Sequence, residues 1–383
     1  MRHPVPEKEE RREGISSEKE VIRPLLLAES PYFGGITSHL LTLLEALPRE
    51  ILATTAVLEG RCPDRTLLDE AAKRRLMVTP IPAGGLRYIA GRRELRRIIR
   101  ETGSRLIHTH NYRATVVSAL ATPETPLVTT CHGWVDRPGR IWAYQMLESG
   151  VMRHRARRII ACCRYVAEGL RERGIPEERI RLVLNGAGLP AGFEENTSRE
   201  AFRQRLGISG ENPVLLFAGR LAAEEGADLL LEACSAAEGW TCLIAGEGPM
   251  REELEQQARR SGVFARFPGM RRDIGAWMQA ADVIVLPSRR EALPMTAVEA
   301  AACGRPVVGF SVGGMGEVVA DGVTGLLAPP EDTATLARLL KQMEDPVRRM
   351  EYGEAARERW KSLFTPERMA QDTAEVYRDV VFS

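Results

Sequence analysis

"VLLFAGRLAAEEGADLLLEA", residues 214–233, carries the unit on which the whole chain is built. An apolar run ends at Gly219-Arg220, and a second glycine, Gly226, opens a helical pattern. A strand that turns through glycines into a helix leaves free backbone N–H groups at the positive end of the helix, and a neighbouring arginine completes a cradle for an anion. Glu224 and Glu225 stand inside the same loop and oppose that reading.

The unit recurs on both sides. "PLLLAES" leads into "GGITSHLLTLLEAL", "RLIHTH" into "RATVVSALAT", "PLVTTCHG" into "IWAYQMLESGVMRHR" and "RRIIACC" into "RYVAEGLRERG". Short apolar runs alternating with amphipathic stretches are the rhythm of a parallel sheet covered by helices. The rhythm breaks over residues 190–212, a polar stretch rich in Gly, Pro and Asn that reads as a linker. It restarts with "PVLLFAG", "TCLIAGEG", "VIVLPS" and "PVVGFS". The chain is therefore expected to be α/β, with two doubly wound domains and ligands at the carboxyl ends of their strands. The expected divisions are a disordered polar tail over 1–20, a first domain over 21–190, a second over 191–365 and a last helix over 366–383.

Composition narrows the class. With 383 residues, 44% hydrophobic and 27% charged, the chain has the make-up of a soluble globular protein large enough for two cores. No apolar run nears the ~18 residues of a membrane span. Residues 1–20 lack the apolar segment of a secretory signal, and the seven cysteines are odd in number and form no C-x-x-C pair. Reduced thiols in a cytoplasmic protein are expected, not a disulfide frame or a zinc site. Charge is uneven: 31 basic against 22 acidic residues up to 190, then 22 against 30. Basic clusters at 87–105 and 153–158 suit an anionic membrane face or a charged glycan, although solvated helix faces account for such runs more often. Nucleic acid is not expected, because few aromatics interleave with the basic residues.

Several junctions carry chemistry. Gly34-Gly35 open the first helix and free backbone N–H groups, or simply make a tight turn. His108 and His110 lie two apart on a strand and share a face, with His108 read as a packing residue. His132 closes the next strand ahead of a glycine and is expected to point into the cleft. Asn185-Gly186 read as a turn between domains, and Gly246 and Gly248 form another strand–helix junction with Pro249 at the helix start. In residues 286–332, Pro294 suggests that a helix starts there, with Glu291 in the loop before it and Glu299 in its second turn. Two carboxylates so placed suit the two ends of a polyhydroxyl ligand. Backbone N–H groups at the helix start, around Leu293, Pro294 and Met295, can take a phosphate.

The ordered set "GGITSHL", "HTH", "TCHGW", "LNGAG", "GRLAAEEGADLL", "GEGP" and "GGMGEVVADGVTGLLAPP" resembles the GT-B fold glycosyltransferases, in particular the large retaining family four. The resemblance runs over residues 22–380. It implies a nucleotide-sugar donor bound mainly by the second domain and a glycan or lipid-linked acceptor bound mainly by the first. It places the diphosphate near Gly35, Arg220 and the backbone after Glu291, the ribose on Glu299, the transferred sugar on Glu291 and His132 beside the reacting centre. Gly246 and Gly248 fall on the donor-binding side, and His110, Asn111 and Trp134 on the acceptor or sugar side. It implies retention at the anomeric carbon, no cofactor, no metal, and a last helix that braces the first domain; a cell-envelope polysaccharide role with peripheral membrane contact is the corresponding expectation.

The sequence departs from the family at one point. The loop after Gly-Arg typically carries a lysine before the second glycine, and here that position is Glu225. Only five lysines occur in the chain, none between Lys73 and Lys341. An active site therefore requires Glu225 to turn to solvent while Arg271, Arg272, Arg289 or Arg290 takes over the phosphate. The alternative is a non-catalytic glycan- or nucleotide-binding partner of another transferase. A sugar-nucleotide epimerase or a phosphorylase of the same fold is a third reading.

Overall fold

The computed structural model describes residues 21–29, 35–59, 66–83, 88–134, 140–208, 213–237 and 239–383. The expected tail over 1–20 and Gly34 lie outside them. Seven strands form the first sheet: β1 (Pro24–Ala28), β2 (Thr54–Glu59), β3 (Val78–Pro82), β4 (Leu106–Thr109), β5 (Leu127–Cys131), β6 (Arg158–Ala161) and β7 (Ile180–Leu182). Six form the second: β8 (Val214–Ala218), β9 (Thr241–Ala245), β10 (Ala265–Gly269), β11 (Val283–Leu286), β12 (Val307–Phe310) and β13 (Gly325–Ala328). The orders are β3-β2-β1-β4-β5-β6-β7 and β10-β9-β8-β11-β12-β13, with every pair parallel. Both are Rossmann-like sheets whose strand order reverses between β1 and β4 and between β8 and β11. Those reversals open a crevice at the strand carboxyl ends.

The central strands are almost wholly apolar and buried because helices cover both faces of each sheet. One apolar cluster runs from Val166 and Leu170 of the first domain through Leu293 to Met315 and Val318 of the second, so the domains share a packed face. The last helix, Pro366–Phe382, lies against the first domain: Met369 and Tyr377 are buried with Leu26, Leu40 and Val128. Asp379 accepts from Arg158 and Arg181 there, and Arg378 donates to Glu50.

The polar stretch over 190–212 is not purely a linker. It contains the helix Arg199–Arg205, capped by Ser198, which packs on the helix Ile274–Ala280. Two of its three arginines turn inward. Arg199 and Arg203 both donate to the buried carboxylate of Asp282, which also accepts the Val214 N–H at 2.7 Å and faces Arg349 at 3.7 Å. Pro249 also differs from expectation, since the helix after it is Arg251–Ser261, with Met250 as its cap.

Removing one partner of a buried ion network strands the others. Asp282→Ala should lower stability by about 3 kcal/mol and the melting midpoint by roughly 6 °C. An unchanged midpoint in scanning calorimetry would show that Asp282 does not anchor this domain.

Candidate active site

The carboxyl ends of both sheets line one cavity of about 650 Å³. From the first domain come Ile36, His110, His132, Gly133, Trp134 and Glu148, and from the second Arg289, Arg290, Glu291, Ala292 and Gly313. The second-domain wall is built by glycines. A Cβ on Gly226 would stand 1.9 Å from Pro287 O, one on Gly246 1.8 Å from Gly219 O, and one on Gly313 1.7 Å from Glu291 O. These three also have positive φ, at 73°, 157° and 51°. Only glycine fits such contacts, and they hold the loops after β8, β9, β11 and β12 together. Gly248 packs likewise on Leu221 O, whereas a Cβ on Gly35 would meet nothing within 4 Å.

The helix after β11 is Met295–Ala302, capped at Pro294, with Leu293 and Pro294 buried before it. Glu291 is in the loop and Glu299 in the second turn, as the sequence suggests. Burial raises the carboxyl of Glu299 to about 7. Glu291 also rises to about 7, through burial first and nearby Glu225 second, while the Ser288 hydroxyl, 3.2 Å away, opposes the shift.

Glu225 does not turn to solvent. Its Oε2 is 3.7 Å from where a Cβ on Gly219 would be, and its charge is felt at Glu291. Burial raises its pKa; Arg220 opposes and Glu224 adds. Arg220 is exposed and pairs with Glu224. The arginines expected to take over are already engaged, including Arg290, which lines the cavity. Arg289 holds Asp228 through two hydrogen bonds and also meets Glu331, and Arg271 holds Asp273 through two more. Arg272 lies 3.4 Å from Glu70.

On the first-domain side, His132 meets the cavity, and burial lowers its basicity to about 4. His108 is fully committed to packing, with Nδ1 2.7 Å from the Tyr377 hydroxyl and Nε2 2.7 Å from Thr130 Oγ1. Two expectations for the sugar side meet competing uses. Asn111 caps the helix Tyr112–Ala121, its side chain accepting from Ala114 N at 3.0 Å and donating to Glu29 O. Trp134 is covered by the Arg173 guanidinium 3.9 Å from its ring, approaches Gly169 closely and packs against the core.

Two residues were missed in the sequence. Glu148 is buried, accepts only the Thr115 hydroxyl at 3.1 Å among the described hydrogen bonds, and is pushed up to about 8 by burial. The one carboxylate among the apolar residues of "YQMLESGV" is its only signal. Glu317 takes the N–H groups of Arg164 and Tyr165 at 2.9 and 3.1 Å, so a second-domain carboxylate satisfies the start of a first-domain helix.

Comparison with known proteins bears on both halves. Residues 33–189 match the family model described as Glycosyltransferase Family 4, and residues 198–359 the one described as Glycosyl transferases group 1. The chain is 33% identical over 264 residues to D-inositol 3-phosphate glycosyltransferase of Xylanimonas cellulosilytica, covering 61% of this chain and 62% of that one. It is 38% identical over 172 residues to glycogen synthase of Mycobacterium tuberculosis, covering 43% and 42%. These matches span less than two thirds of either relative. The fold is that of Anabaena HepE, solved with UDP-glucose, at TM-score 0.83 and 23% identity over 94% of this chain and 100% of that one.

Glu291 and Glu299 bind protons more tightly when folded than when unfolded. The stability they contribute is therefore full below the unfolded carboxyl pKa near 4.3 and lost as pH rises through about 7. Between pH 5 and 8 the wild type should lose on the order of 2 kcal/mol relative to the Glu291→Gln/Glu299→Gln variant. Melting curves for the two that keep a constant separation across this range would refute the assignment.

Proposed function

We propose that this chain, which belongs to the GT-B glycosyltransferase family, moves a sugar from a UDP- or GDP-linked donor to a glycan or lipid-linked acceptor with retention at the anomeric carbon. The observation that carries this reading is the shared cavity, in which His132 of one domain and Glu291 of the other line the same space. In this reading the diphosphate lies between Arg220 and the N-terminal end of the helix Met295–Ala302, whose dipole stabilises the negative charge that develops as the sugar leaves. Glu299 takes the ribose hydroxyls. Glu291, which titrates near neutrality, accepts from or donates to the sugar hydroxyls. His132, neutral at pH 7, serves as a hydrogen-bond partner beside the anomeric carbon. The departing phosphate takes the proton of the acceptor hydroxyl on the same face. No metal or cofactor is required for these steps.

The inward Glu225 weakens such a site without closing it. A full charge at ~4 Å from the diphosphate would cost about 4 kcal/mol at an effective dielectric near 20. Burial already moves Glu225 toward its neutral form, and the neutral form carries no such repulsion. Donor binding is then accompanied by proton uptake and tightens as pH falls.

The second reading, a non-catalytic binding partner, is favoured by one observation: the arginines nearest the loop are paired with carboxylates. Metal-free calorimetric titration with UDP and with GDP tests both. One nucleotide should bind, Arg220→Ala should weaken it at least 10-fold, and Glu225→Lys should tighten it by a similar factor. An unchanged affinity in Glu225→Lys would remove Glu225 from the phosphate site. Nucleotide binding with no turnover across donors and acceptors would favour the partner reading, and an inverted product anomer by NMR would overturn the retaining mechanism.

An acceptor anchored in an anionic membrane, of the kind used in envelope polysaccharide synthesis, would meet the helix Tyr88–Thr102. Arg93 and Arg100 are exposed there, while Arg92 and Arg96 donate to the carbonyls of Leu120 and Ala121 and Arg97 is held by Glu94 and Glu101. Among the described residues no helix is long and apolar enough to cross a membrane. Sedimentation with liposomes should depend on anionic lipid and weaken with salt; independence of both would end this part of the proposal.

A further inference from the structure

We propose that His39, His110 and His132 form a binding site for a divalent transition-metal ion of the zinc or cobalt kind, in the first-domain wall of the cleft. The three come from separate parts of the fold: the helix Gly35–Ala46, the end of β4 and the end of β5. Each offers a ring nitrogen, and the three nitrogens lie within 4.8 Å of one another. Ring centroids are 4.8, 5.3 and 6.1 Å apart. Imidazoles around a tetrahedral zinc at ~2.1 Å would have nitrogens about 3.4 Å apart and centroids about 5.2 Å apart. Small ring rotations, of under about 1 Å at each nitrogen, therefore close the shell.

The second observation is independent of the spacing. Both ring nitrogens of His39, both of His110 and Nε2 of His132 are buried with no partner at full hydrogen-bond geometry, although the Asn185 side chain stands close enough to His39 to act on it. Five unpaired nitrogens at one spot are costly, and an ion or an ordered water is what such a site takes in. His108 is the contrast: it stacks on His110 at 4.2 Å, yet Tyr377 and Thr130 satisfy both its nitrogens. Only the three unsatisfied histidines are free to ligate.

Two further features suit a metal. Asn185 is buried beside His39 with its Oδ1 unpaired, and that oxygen can take the N–H that a ligating His39 turns outward. His110 and His132 line the cavity, which supplies both access and an open fourth position for water. The ion is not needed for sugar transfer. Because it would occupy His132, it would act as a brake on transfer; only this consequence rests on the proposed function, and binding itself does not.

The test uses the full-length, tag-free chain, stripped with a chelator and equilibrated with Co²⁺ alone. The expected result is one Co²⁺ per chain by elemental analysis, with visible d–d absorption of a four- or five-coordinate site and no near-UV thiolate band. His39→Gln and His110→Gln should each weaken binding at least 10-fold, and His154→Gln, at an exposed histidine, should not change it. Bound metal should also raise the melting midpoint of the wild type, which gives a readout if a variant folds poorly. The proposal is overturned by a wild-type chain that takes up no cobalt, by a thiolate band pointing to Cys131, Cys162 or Cys163, or by unchanged binding in a folded His39→Gln. Metal binding with undiminished transfer would refute the brake alone, and loss of transfer activity in metal-free protein would count against the proposed function, not against the site.

Discussion

The cleft depends on backbone touching backbone. At Gly226, Gly246 and Gly313 the space for a side chain is filled by the carbonyl oxygens of Pro287, Gly219 and Glu291. A methyl group at any of them would push apart the loops that present Arg220, Glu291 and the start of the helix Met295–Ala302. These glycines therefore hold the loops of the second-domain wall against one another. The "GEGP" junction is the clearest case, because Gly246 and Gly248 both face the loop Gly219–Leu221 and have no room left for a phosphate on that side.

The same wall carries an unusual charge balance. Arg220 is exposed and its partner Glu224 is four residues away, a kind of pair worth under about 1 kcal/mol. Releasing Arg220 from Glu224 thus costs little. Arg289 differs, since it is partly buried, holds Asp228 in two hydrogen bonds and donates to the Ala223 carbonyl as well. Breaking that set would leave Asp228 without its partner. Arg220 is thus easier to release from its partner than Arg289 is.

Strands β1, β4, β5, β6, β8, β9, β11 and β12 are legible in the sequence because a parallel strand covered on both faces is mostly apolar, and each is followed by a helical pattern. The others are harder to read. β3 contains two prolines and β10 one, β7 has three residues, and "TTAVLE" of β2 is half polar. At the site, the spacing of Glu291, Pro294 and Glu299 fixes loop and helix, so local order predicts their placement well. Contacts across the fold leave no such mark. Nothing in "GGITSHL" announces that His39 meets His110 and His132, because 71 and 93 residues separate it from them and only the β1–β4–β5 order brings them together. The inward turn of Arg199 and Arg203 is hidden for the same reason: the carboxylate that draws them lies some eighty residues later.

Contacts between the domains decide whether the parts of the site meet at all. The Cβ that Gly133 lacks would stand 3.0 Å from Ala292 Cβ, and Ala292 O accepts from Gly314 N at 2.7 Å. The residue after His132 is thus in contact with the residue after Glu291. Glu317 adds a directional link, since its two oxygens take N–H groups that the helix Arg164–Glu172 cannot satisfy internally. A carboxylate at that helix start gains from the dipole as well as from the two hydrogen bonds, and the gain exists only while the domains are together. The helix Pro366–Phe382 works in the same direction: Thr365 and Phe364 lie against Gly186, so the chain that leaves the second domain packs directly on the turn that ends the first. Several attachments spread around the cavity therefore hold His132 and Glu291 on facing walls.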